Sequence, residues 1–141
     1  METRGFLAPS STAEATSQFQ GLEPAARTVT REIAKAMGFD RAEFEERVTG
    51  DVVDTALDAL FASLLEVHLG TREEYEEYLD DHPDRQVHLV GSQNVDRRAW
   101  HPAPAVEGVA AVTYQDEPDA AAATVRRQAF GRFYRTIVRE G

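Results

Sequence analysis

The chain has 141 residues and a formal net charge of −10, with 25 acidic side chains against 15 basic ones and no cysteine. That length predicts one domain, since single domains cluster at roughly 100–150 residues. The missing thiols exclude disulfides, thiolate nucleophiles, iron–sulfur clusters and cysteine-ligated zinc.

Fourteen of the fifteen bases are arginine, Lys35 being the lysine, and 21 alanines and 13 valines stand against only Ile33 and Ile137. An acidic surface with almost no lysine fits a protein adapted to molar salt, where charge repulsion is screened within about 3 Å at 1 M. Residues 1–16 lack an apolar core and carry Glu2, against a secretory signal. No stretch approaches the ~20 apolar residues of a membrane span. The expected address is the cytoplasm, away from membranes.

In chain order, residues 1–10 are expected to be disordered. Ser11 and Glu14 form a capping pattern that opens a first helix to about Gln20. Pro24 suits the first turn of a second helix, which runs to Met37 and stops at Gly38. On it Ala26, Val29, Ile33, Ala36 and Met37 share one arc, predicted to face inward. Asp40 and Glu43 cap a third helical piece containing Phe44 and Val48.

The strongest periodicity spans Asp51 to Leu69 and ends at Gly70, predicting a central helix apolar on more than one side. Thr71 and Glu74 cap another helix, and His82–Pro83–Asp84 marks a turn. The pattern then changes. Short strands are predicted over Val87–Val90, Ala99–His101 (broken by Pro102 and Pro104) and Gly108–Gln115, followed by a helix over Asp119–Arg139. The expected architecture is therefore a single α+β domain over 1–141. A helical N-terminal two-thirds packs with a small antiparallel sheet of two to three strands and a long C-terminal helix.

Charge is segregated along this order. Residues 40–84 hold 15 acids and 3 bases, whereas residues 120–141 hold five arginines and Glu140.

Most catalytic motifs are absent. Glycines never lie closer than ten residues apart, so no phosphate cradle is present. The histidines, at 68, 82, 88 and 101, lack metalloprotease and di-iron spacing, and Gly91-Ser-Gln-Asn94 lacks the second glycine of a serine elbow. No catalytic residue, metal site or cofactor is expected. His68, on the apolar stripe, is expected to be a core histidine bonded to a carbonyl or carboxylate. The carboxylates of residues 51–58 and 73–77 read as solvated faces.

Gly91 to Pro102 is the most site-like stretch, gathering Asn94, Arg97, Arg98, Trp100 and His101. Arg126 projects into the apolar arc of Phe130, Phe133 and Ile137, so it needs a partner acid or an anionic ligand.

Arg31–Met37, Asp58–Leu65, Gly70–Glu74, Gly91–His101 and Arg126–Arg135, taken together, resemble an uncharacterised haloarchaeal family classed as a domain of unknown function. The resemblance covers nearly the whole chain. It implies a single domain in a salt-rich cell and implies no activity, cofactor or site residue.

The leading functional reading is a non-enzymatic cytoplasmic module that associates with a second copy or another protein. It rests on the two-sided central helix and the opposed charge regions. The competing reading is a small-ligand or anion site, capable of weak hydrolysis, built from Asn94, Trp100, His101 and Arg126. Nucleic-acid binding by the terminal arginine helix ranks third, because phosphate-driven affinity falls steeply with salt.

Overall fold

Local capping signals set most of the helices in the computed structural model, which describes residues 1–140, with side chains to Arg139. The Ser11 hydroxyl accepts the Glu14 N–H at 3.1 Å and opens α1 (Thr12–Gly21). Pro24 occupies the first turn of α2 (Glu23–Ala36), and Gly38 beyond its end takes the left-handed φ of +76°. Reciprocal capping boxes open α3 (Arg41–Arg47) at Asp40/Glu43 and α5 (Arg72–Asp80) at Thr71/Glu74.

Between α3 and α5 the chain departs from the periodicity. Helix α4 covers only Gly50–Ser63, and Val67–Gly70 is a strand, β2, rather than the end of a long helix. Leu65, Val67 and Leu69 are buried and alternate with Glu66 and His68, a period of two that the helical arc masked. Tertiary pairing decides the outcome, because β2 lies between β1 (Glu2–Arg4) and β4 (Arg97–Ala103). The first ten residues, for which disorder was expected, thus supply an edge strand, with Leu7 bridging to Leu65.

The fold is α+β, with a mixed sheet of five strands in the order β1-β2-β4-β5-β3, larger than the expected two or three. Strands β3 (Gln86–Val90) and β5 (Gly108–Tyr114) run parallel, and the other neighbours are antiparallel. Pro102 does not break β4. It lies past Trp100, the last residue of β4 that pairs with β2, so no ladder bond is lost on that side.

One face of the sheet, with Val67, Leu69, Ala99, Ala103, Ala110 and Val112, packs against α1, α4 and α6 (Pro118–Ala129). Alanines on both layers, including Ala121, Ala122 and Ala129, let the helix approach the strands closely. The opposite face buries Trp100, Val109 and Ala111 beneath Tyr75, Tyr78 and Leu79 of α5. The C-terminal helix is long, as expected, but Phe130–Tyr134 widen into a π-helical turn before α7 (Arg135–Glu140). The wider turn buries Phe130, Phe133 and Tyr134 together. Among the described residues, no helix is long and apolar enough to cross a membrane.

Candidate functional site

Successive residues of a strand point to opposite faces of its sheet, and that rule divides Trp100 from His101. Trp100 lies under α5, its ring 5.4 Å from Tyr75, 5.8 Å from Tyr78 and 5.5 Å from His68. His101 lies on the other face, sealed from solvent. A carbonyl oxygen can only accept, so Nδ1–H donates to the Glu66 carbonyl at 2.7 Å, and Nε2 accepts from the Tyr134 hydroxyl at 2.6 Å. Burial pushes the His101 imidazole down to about 4, despite the opposing pull of the Glu66 carbonyl, and pushes the Tyr134 phenol well above its ordinary range. The imidazole is neutral and both its nitrogens are occupied.

Arg126 is half-buried, and its Nε donates to the Leu65 carbonyl at 2.9 Å. Its partner is thus a main-chain carbonyl next to the one that holds His101, and no carboxylate pairs with it among the described residues. Burial, with Arg4 nearby, lowers its affinity for protons. Asn94 sits in an exposed loop, its backbone N–H donating to the Ser92 hydroxyl at 3.2 Å. The structure therefore brings His101 and Arg126 to adjacent carbonyls, places Trp100 across the sheet, and leaves Asn94 on the surface.

His68 has the carboxylate partner expected of it. Its Nε2 lies 3.2 Å from Glu66 Oε2, and its Nδ1 lies 3.0 Å from Thr3 Oγ1. Hydroxyl, imidazole and carboxylate follow one another here, with Thr3 exposed on the short edge strand and the imidazole mostly covered beside Trp100 and Tyr78. What it does structurally is fasten β1 to β2.

The two charge regions meet within the chain. Arg139 bonds Asp58, lies 3.6 Å from Asp54 Oδ2 and covers the Phe19 ring at 5.4 Å.

The most site-like surface was not singled out from the sequence. Helix α2 turns the small side chains Ala26, Thr30 and Ala34 toward the interior. The larger Val29, Ile33 and Met37 of the predicted inward arc are instead 39%, 55% and 65% exposed. Small side chains let α2 lie close to α4, which rolls the larger stripe sideways. Val52, one turn into α4, is exposed on the same side. Between them runs an open groove of about 540 Å³, with a wall formed by Ile33, Met37, Phe39, Val48, Val52 and Ala56. Arg47, stacked 5.6 Å over the Phe39 ring, and Asp51 form its polar rim. This groove is the second apolar side of α4 that the sequence predicted. The two stripes of α2 adjoin one another, and a helical wheel alone does not say which meets the chain's own core.

No curated protein and no solved structure matches the chain. The model of a family of unknown function, DUF5809, matches residues 6–135, nearly the full length. The chain belongs to that family, DUF5809.

Proposed function

We propose that this chain acts by protein association, pairing with a second copy of itself through the α2–α4 groove in a salt-rich cytoplasm. The observation that carries the reading is the apolar ridge of Val29, Ile33 and Met37 left uncovered beside a groove of matching character. Ridge and groove lie on one patch, so a twofold axis can seat each copy's ridge in the other's groove. The sealed, fully bonded imidazole of His101 supports binding over catalysis.

Light scattering in molar KCl is the test. The wild type should have the mass of a dimer, and the double variant Ile33→Glu, Met37→Glu should have the mass of a monomer with its far-UV circular dichroism unchanged. Both positions are exposed, so the substitutions leave the interior intact. A wild-type chain that stays monomeric at every concentration would overturn the proposal.

A further inference from the structure

The two edges of the sheet are built differently. Edge strand β1 has three residues and carries Glu2 and Arg4, charges that discourage pairing with another chain. The opposite edge, β3, has five residues, Gln-Val-His-Leu-Val, without a carboxylate, lysine or arginine. Val87 and Val90 are exposed there. The Gln86 N–H donates to the Glu107 carbonyl at 2.8 Å, so the main-chain groups of Gln86, His88 and Val90 point to β5. By alternation those of Val87 and Leu89 point outward.

A second feature adjoins this edge. Between β3 and the C-terminal helix lies an open cavity of about 580 Å³, lined by His88, Val90, Ala110, Arg127, Gln128 and Arg132, with Gly131 at its wall. Arg127 and Arg132 are exposed, and neither forms an ion pair among the described residues. In a chain with so large an acidic excess, two arginines without a carboxylate beside an open strand edge are a specific arrangement. His88 carries its side chain to this face, 5.7 Å from the Phe133 ring.

We propose that β3 and the basic cavity beside it bind an extended acidic peptide of a partner protein, added to the sheet as a sixth strand. Its main chain pairs with the outward groups of Val87 and Leu89. Alternate side chains, being acidic, turn to the cavity face and meet Arg127 and Arg132. The intervening side chains, being apolar, turn to the other face beside Val87 and Leu89. Main-chain pairing supplies affinity and the alternation supplies specificity, as in strand addition generally. A second copy of the chain is the poorer occupant, because joining two β3 edges would crowd two Arg127/Arg132 clusters into one place. The site lies apart from the α2–α4 groove, so each stands without the other.

The test uses the full chain and a fluorescein-labelled peptide of alternating Glu and Val, followed by fluorescence anisotropy. Controls are a peptide of the same composition with Glu and Val in separate blocks, and an alternating Lys and Val peptide. The alternating acidic peptide should bind, with both controls weaker by about tenfold or more. Val87→Pro removes an outward N–H without touching the ladder to β5, and Arg127→Glu with Arg132→Glu reverses the charge on an exposed face. Each change should weaken binding by about tenfold or more with the unfolding midpoint nearly unchanged. Ile33→Glu should leave peptide binding intact, which separates this site from self-association. Equal binding of the Lys peptide, or full binding to the Val87→Pro protein, would overturn the proposal. So would a loss of dimer mass in Val87→Pro, which would assign β3 to the contact between copies.

Discussion

Tyr134 donates its hydroxyl proton to His101 Nε2 across 2.6 Å, while Nδ1 of the same ring holds the Glu66 carbonyl at 2.7 Å. One imidazole thereby joins three pieces of chain: β4, the residue that leads into β2, and the π-helical turn of Phe130–Tyr134. The π turn gives Tyr134 its inward direction, which supplies a packing reason for the irregularity.

Stability should therefore depend on pH through His101. Its proton affinity in the folded chain is set near pH 4, against 6.5 when exposed. Between those values the unfolded chain binds a proton that the folded chain refuses. Stability is complete above pH 6.5, declines as pH falls below it, and has lost about 3 kcal/mol by pH 4. Urea unfolding across this window should show the decline, and His101→Gln should flatten it while acidic side chains titrate as before. Equal slopes in the two proteins would refute the assignment.

Removing the donor is the complementary experiment. Tyr134→Phe leaves His101 Nε2 buried with nothing to accept from, at a cost of about 1–3 kcal/mol. Urea unfolding at neutral pH measures it. A variant as stable as the wild type would mean that water fills the missing position.

Most of the helices were legible because their signals are local. Ser11, Asp40 and Thr71 cap where their spacing to Glu14, Glu43 and Glu74 predicts. The strand Val67–Gly70 was hidden because its partners lie at residues 2–4 and 98–100, and His68 also falls on the helical arc. Trp100 and His101, expected in one site, lie on opposite faces of the sheet for a related reason. Neighbours in sequence are neighbours in a loop but part company in a strand. The apolar stripe on α2 was legible, but its expected inward direction was wrong for Val29, Ile33 and Met37, because a helical wheel does not say which adjoining stripe meets the core.

Gly5 is the residue on which the close approach of the N-terminal segment depends. Its φ is +76°, and a Cβ there would stand 2.4 Å from the Leu65 carbonyl oxygen and 2.8 Å from Arg126 Nη2. Gly5→Ala should thus cost about 3 kcal/mol, from backbone strain and collision together. Gly21→Ala is the control. It meets nothing within 4 Å at the end of α1, and should gain about 0.5 kcal/mol. Thermal unfolding of the two variants should move in opposite directions; parallel shifts would remove the steric explanation.

Salt should act on two opposed contributions. Fifteen acids crowd residues 40–84, so their mutual repulsion works against the folded chain in dilute buffer. Arg139, bonded to Asp58 and close to Asp54, offsets a part of it from the C-terminal helix. Both effects weaken as the screening length shrinks from about 10 Å at 0.1 M to about 3 Å at 1 M. The acids far outnumber the arginines that answer them, so relief of repulsion prevails and the unfolding midpoint should rise into molar KCl. Asp58→Asn isolates the attraction. Its side chain is partly exposed, so the change should cost less than about 1 kcal/mol in dilute buffer. In molar KCl the cost should shrink toward zero. A midpoint that falls with KCl would show that the paired arginines, rather than the unpaired acids, govern the balance.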